Sequence, residues 1–277
     1  MEKLQKALQK AREQRTAPGS ANGAVQSIAR AVEAENPTGL DALWAELTPH
    51  EPDRELLDEN LLVSLTADQK STPFDILRTK TQLLMQKNGW SRLGITSATP
   101  GCGKTTLACN LALGFARQSQ LRVLLIEFDL RRPSISRMLR ASPRHDVTEM
   151  LTGKVSFADQ ALRIGTNVAV SMAQRPVDDP TSVLLNQQTH ATLARIEETY
   201  APDLVIFDLP PLLVSDDTRA FLKDVDCTIL VAKAEATSVS QIDACEREIA
   251  EHSNVLGVVI NQCRHADDES YYGYSYS

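Results

Sequence analysis

From residue 92 onward, short apolar segments alternate with segments of helical periodicity. The near-continuous apolar run at 121–128 suits a strand buried on both faces. Further apolar runs at 93–96, 167–171, 203–209, 227–232 and 255–261 predict five more strands. Between them, residues 105–117 place Leu107, Leu111 and Phe115 four apart, and residues 181–199 and 238–252 also read as helices. Pro73 opens a further helix running to about Lys87. This alternation predicts an α/β fold: a mostly parallel central sheet with helices on both faces and ligands at the carboxyl ends of its strands.

The ends of the chain have a different pattern. Residues 1–15 form an amphipathic repeat with Leu4, Leu8 and Ala11 on one face, and carry five basic residues against two acidic ones. Residues 16–70 turn from Ala/Pro-rich to acidic, with nine carboxylates and one Arg between Glu33 and Glu59. That composition predicts a linker with one or two short helices, for example at 40–47. Folded structure is expected to start near Thr72. The domain reading is therefore a basic helix (1–15), an acidic linker (16–70), an α/β domain (71–264) and a flexible tail (265–277).

One segment carries specific chemistry. Ala98-Thr99-Pro100-Gly101-Cys102-Gly103-Lys104-Thr105 follows a strand and opens a helix. A Gly-rich turn there aims several backbone N–H groups, and the positive end of the helix dipole, at one point. This is a P-loop, with Ala98 in place of its usual first Gly. Pro100, Gly101, Cys102, Gly103 and Thr106 line the cradle, Lys104 reaches phosphates, and the Thr105 hydroxyl is positioned for Mg²⁺. The implied ligands are a nucleotide and Mg²⁺.

Composition narrows the class. The net charge of −7 and pI near 5.3 argue against nucleic-acid or anionic-membrane binding. No apolar stretch approaches bilayer length, and the first residues are charged where a signal peptide is apolar. The five cysteines and five histidines show no metal or disulfide spacing.

Two strand ends beyond the P-loop bear carboxylates. Glu127-Phe128-Asp129-Leu130-Arg131-Arg132-Pro133 places Glu127 and Asp129 two apart, on one face of a strand if the strand continues. Both are candidates for holding metal or accepting a hydroxyl proton, and Arg131 and Arg132 for neutralising phosphate. Phe207-Asp208-Leu209-Pro210-Pro211 ends an apolar strand on Asp208, the form of a Walker B carboxylate that orients Mg²⁺. Asn261, after the last strand, is a candidate adenine contact.

These three motifs together resemble the bacterial tyrosine kinase family of capsule and exopolysaccharide synthesis, P-loop kinases with Walker A, A′ and B elements. The resemblance covers about residues 72–277 and includes Tyr271-Tyr272-Gly273-Tyr274-Ser275-Tyr276-Ser277, which holds four of the protein's five tyrosines. It implies an ATP-dependent protein-tyrosine autokinase that phosphorylates Tyr271, Tyr272, Tyr274 and Tyr276 and regulates polysaccharide polymerisation and export. Lys104, Asp129, Glu127 and Asp208 are then the catalytic set, with Thr105, Asp129 and Asp208 toward the metal. Implied partners are a membrane polysaccharide co-polymerase that activates the kinase, further copies of the chain, and a cognate phosphatase. The implied location is cytoplasmic, against the inner face of the membrane through that partner. Departures from the family pattern are Glu127 where Asp is usual, Cys102 where an acidic residue is common, and only Arg78 matching in the ring-building element aligned with Thr72, Asp75 and Arg78. Alternative readings are a ParA/MinD-like positioning ATPase, whose signature Lys is replaced here by Thr99, and a non-catalytic ATP-dependent adaptor.

Overall fold

The computed structural model describes residues 39–264. The basic repeat at 1–15 and the tyrosine tail lie outside the described residues. The chain divides at Ala42/Leu43 into two units, and the second contains the sheet and the P-loop.

Its centre is an eight-stranded sheet: β1 (Thr48–Pro49), β2 (Arg92–Ser97), β3 (Val123–Glu127), β4 (Leu162–Ile164), β5 (Val168–Ser171), β6 (Leu204–Asp208), β7 (Cys227–Lys233) and β8 (Asn254–Asn261). The order is β1-β4-β5-β3-β6-β2-β7-β8, parallel except between β4 and β5. Every residue of β3 and β6 is buried, as expected of central parallel strands covered on both sides. In register, Asp208 pairs with both Glu127 and Ile95. The ends of β2, β3 and β6 therefore stand side by side.

Eleven helical segments accompany the strands among the described residues: α1 (Leu40–Glu46), α2 (Arg54–Glu59), α3 (Thr72–Asn88), α4 (Lys104–Phe115), α5 (Ile135–Met138), α6 (Val147–Leu151), α7 (Phe157–Gln160), α8 (Pro180–Leu184), α9 (Gln187–Tyr200), α10 (Asp217–Leu222) and α11 (Val239–Ala250). Helix α4 is buried along almost its whole length. Phe128, Phe207 and Phe221 form an aromatic cluster with centroids 4.6–5.2 Å apart. It fixes the ends of β3 and β6 against α10.

Two expectations change. Folded structure begins well before Thr72. Trp44 is buried, donates from its indole N–H to the Tyr200 carbonyl at 2.8 Å and meets the Tyr200 ring edge-on. β1 joins the sheet beside β4. Leu47, Leu57 and Leu62 are buried, so residues 43–66 form a strap laid over the α/β body rather than a linker. The helix expected over 181–199 is two helices, α8 and α9. Asn186 breaks it by taking the extended conformation and accepting the Gln188 amide on its side chain.

Of the ring-building positions, Asp75 and Arg78 are engaged within the chain. Arg78 on α3 is buried and donates to the Gly114 carbonyl at 2.8 Å and to Asp75 at 2.9 Å. Asp75 also receives Arg117 at 2.5 Å. This cluster ties α3 to α4, the helix that starts at the P-loop.

Candidate active site

The P-loop is built from its backbone outward. Gly101 and Gly103 adopt φ of 81° and 87°, a conformation that costs glycine little and other residues more. A Cβ at Gly103 would also run into the Asn261 side-chain amide. Asn261 Nδ2 donates to the Cys102 carbonyl at 2.9 Å, and Gln262 Nε2 donates to the Gly101 carbonyl at 3.0 Å. The end of β8 thus braces the loop from behind. In this arrangement Asn261 supports the cradle's backbone, a different placement from the adenine contact expected of it. Cys102 is buried, its thiol donating to the Thr99 carbonyl at 3.2 Å.

Lys104 lies at the centre. Its Nζ is 2.7 Å from Asp129 Oδ2, 3.6 Å from Asp208 Oδ1 and 3.2 Å from Thr105 Oγ1. The Thr105 hydroxyl in turn donates to Asp208 Oδ2 at 2.7 Å. Burial opposes the Lys104 charge, but Asp208 and Asp129 outweigh it, and the pKa is raised. Burial raises Asp208 as well, with Lys104 and the Thr105 hydroxyl holding it back. Four residues predicted from three separate motifs therefore converge on one buried ionic cluster. Lys104, Thr105 and Asp129 line a cavity of about 350 Å³ with Gly101, Gly103, Thr106, Arg132 and Arg137, and Asp208 lies buried behind them.

Glu127 is not in that cavity. β3 stops at Glu127, so the strand geometry that would align it with Asp129 is absent at position 129. Glu127 Oε1 accepts the backbone N–H of Ser134 at 2.5 Å and of Ile135 at 2.9 Å, and Oε2 accepts that of Ala173 at 3.0 Å. It caps the start of α5 and ties it to the segment after β5. Burial pushes its pKa up to about 7 against the pull of those amides.

Arg131 also departs from its predicted role. It forks onto the fully buried Asp217 through Nε at 2.6 Å and Nη2 at 3.1 Å. Arg132 and Arg137 are the basic side chains that reach the phosphate cradle. Arg137 was missed in the sequence. Its only signal there is position: a second exposed cation shortly after the carboxylate motif.

Asp208, Thr105 and Asp129 supply oxygen donors suited to a hard cation. Asp208 Oδ1 is buried and accepts no hydrogen bond. Among the described residues no group of three His, Cys, Asp or Glu side chains forms a metal cage. Mg²⁺ takes one or two carboxylates together with substrate phosphates and water, so this donor set fits it.

The AAA domain family model matches residues 67–210. The tyrosine-protein kinase YwqD of Bacillus subtilis is 31% identical over 213 residues, covering 76% of this chain and 86% of that protein. The chain belongs to the bacterial tyrosine-protein kinase family. Tyrosine-protein kinase etk of Escherichia coli K12 is 29% identical over 73% of this chain, but the match spans only 28% of that longer protein. The solved kinase domain of Escherichia coli ETK superposes with a TM-score of 0.64 at 25% identity, covering 83% of this chain and 94% of the other. The P-loop, Asp129 and Asp208 all lie within the residues that the AAA domain model matches.

Proposed function

We propose that this protein is an ATP- and Mg²⁺-dependent protein-tyrosine autokinase acting on Tyr271, Tyr272, Tyr274 and Tyr276. The observation that carries the reading is Asp129, a carboxylate at the edge of the P-loop cavity and 2.7 Å from Lys104. The loop amides and Lys104 hold the phosphates, and Arg132 and Arg137 add positive charge. Thr105 and Asp208 would hold Mg²⁺, which when bound neutralises charge on phosphate oxygens. A tyrosine oxygen attacks the γ-phosphorus and forms the new P–O bond, the bond to the β-phosphate oxygen breaks, and ADP leaves. The phenolic proton passes to Asp129. Glu127 positions α5 rather than meeting substrate.

We place the kinase in capsule or exopolysaccharide export, working beneath the membrane on an activating co-polymerase and opposed by a phosphatase. Support for this placement comes from the family. No described helix is long and apolar enough to cross a membrane. The tail is phosphorylated in trans, between copies of the chain.

The test is to incubate purified protein with Mg-ATP and map phosphotyrosine by mass spectrometry. Phosphate on the tail tyrosines, absent from Lys104→Met, is expected. ATP binding without any tyrosine phosphate, with the activating partner's cytoplasmic segment present, would leave the adaptor reading instead.

A further inference from the structure

Arg131 and Asp217 join two parts of the chain that the nucleotide site needs in a fixed relation. Arg131 follows Asp129 in the turn that leaves β3, and Asp217 opens α10, beyond the loop that follows Asp208. We propose that this pair is a positioning device, which sets Asp129 against Asp208 and so governs the rate of phosphoryl transfer rather than the affinity for nucleotide. The inference rests on the kinase reading of the site.

The backbone of the Asp129 turn decides where the carboxylate points. The Phe128 N–H donates to the Asp208 carbonyl at 2.9 Å, and the Leu130 carbonyl accepts the Val177 N–H at 2.8 Å. Asp129 Oδ1 accepts the Arg132 N–H at 3.1 Å, which leaves Oδ2 for Lys104 at 2.7 Å. Arg131 anchors this stretch by its side chain, forking onto Asp217 through Nε at 2.6 Å and Nη2 at 3.1 Å. A two-pronged guanidinium–carboxylate contact fixes direction as well as distance, which a lysine ammonium does not.

The receiving end is held as firmly. Asp217 is fully buried, and its Oδ1 also accepts the Thr181 hydroxyl of α8. Burial pushes the Asp217 carboxyl up, but the bonds from Arg131 and Thr181 more than reverse this, so its pKa is lowered and it stays charged. The next residue, Thr218, donates its hydroxyl to the Pro210 carbonyl at 2.6 Å, and Thr96 of β2 donates to the same oxygen at 2.7 Å. The first turn of α10 therefore grips the Asp129 turn with one residue and the chain leaving Asp208 with the next. Lys104 stands between the two carboxylates, 2.7 Å from Asp129 Oδ2 and 3.6 Å from Asp208 Oδ1.

Such a grip bears on rate more than on binding. The loop amides and Lys104 stand on a different element and meet phosphates wherever the Asp129 turn lies. Proton acceptance by Asp129 is less forgiving, since a misplacement of about 1 Å can cost roughly a hundredfold in rate. Buried ion pairs are a poor source of stability because of their desolvation. What the fork supplies is direction.

The experiment follows tail phosphorylation of the full-length protein at one protein concentration and saturating Mg-ATP, beside ATP affinity from titration calorimetry. Arg131→Lys, which keeps the charge and loses the fork, should slow transfer at least about tenfold while ATP affinity changes by less than about threefold. Asp217→Asn should do the same. The Arg131→Lys/Asp217→Asn double variant should be no slower than the worse single one, because both changes break one link. Thr181→Val alters no charge and should slow transfer about two- to threefold. Together with Arg131→Lys it keeps the test decisive if Asp217→Asn does not fold. Lower melting temperatures with unchanged rates, rate losses matched by losses of ATP affinity, or effects that multiply in the double variant would each overturn the positioning role. Absence of tyrosine phosphate on the parent protein's own tail overturns the kinase reading, and this inference with it.

Discussion

Asn261 Nδ2 donates to the Cys102 carbonyl at 2.9 Å, joining the last strand of the sheet to the middle of the P-loop. With Gln262 on the Gly101 carbonyl, it holds the loop's oxygens backward, leaving its N–H groups to face the cavity. The sheet edge thereby braces the backbone of the loop.

Asn261→Ala should weaken ATP binding about tenfold by loosening that backbone. The informative comparison is inorganic tripolyphosphate, which has no base. If Asn261 acts as a brace, affinity for tripolyphosphate falls in parallel with that for ATP. If the residue reads adenine, only ATP binding suffers. Titration calorimetry with both ligands decides between them.

Lys104→Met removes the one cation between Asp129 and Asp208. Phosphotransfer should fall by at least about a hundredfold, since a charge aimed at the transferring group is lost. The protein should also lose up to about 3 kcal/mol of stability, because a buried carboxylate is left without its partner. Protonation of Asp208, whose pKa burial already raises, limits that loss. Thermal denaturation should therefore show a folded but less stable variant, and an unchanged melting temperature would mean the cluster is open to water.

The central strands were legible because they are apolar on both faces, as at β3 and β6, whereas the short strands β1 and β4 were not read. The P-loop and Asp208 were legible because their spacing alone sets their geometry. The strap at 43–66 was not, since Trp44, Leu47, Leu57 and Leu62 are scattered through an acidic stretch and have no single period. Glu127 was misplaced for a different reason. Its direction depends on where β3 stops and on the amides of Ser134, Ile135 and Ala173, a relationship that only the tertiary fold creates.

Glu127 gives the protein a pH-dependent stability. Its carboxyl has a pKa of about 7 in the folded chain, against 4.5 when unperturbed. The folded state holds the proton that the unfolded state releases, so the contribution is complete below about pH 4.5 and is lost as pH rises through about 7. The full loss is about 3 kcal/mol, since each tenfold difference in proton affinity between the two states is worth about 1.36 kcal/mol. Glu127→Gln should flatten this part of the profile whatever the offset between the two proteins. Melting temperatures between pH 5 and 8 test it, and parallel profiles would show that the carboxyl does not titrate there.

The strap is fastened to the catalytic elements by Asn110. From the middle of α4, its side-chain oxygen accepts the Val63 amide at 2.9 Å, the Ser64 amide at 3.1 Å and the Ser64 hydroxyl at 2.9 Å. Its amide donates to the Leu61 and Thr106 carbonyls, both at 2.9 Å. The strap continues to α5, where Asn60 Nδ2 donates to the Met138 carbonyl at 3.2 Å and the His50 ring lies 3.0 Å from the Leu139 carbonyl. One segment therefore bears on both the helix that begins at Lys104 and the helix that carries Arg137. Asn110→Ala leaves several buried polar groups unpaired at once, and should cost about 2–4 kcal/mol. Deuterium exchange should speed up at Val63 and Ser64 while the amides of β3 and β6 keep their protection, because the sheet does not depend on the strap for its own hydrogen bonds. The KM for ATP should rise several-fold as Arg137 loses its fixed position. Unchanged exchange at Val63 and Ser64 would show that buried apolar contacts hold the strap and that Asn110 adds little.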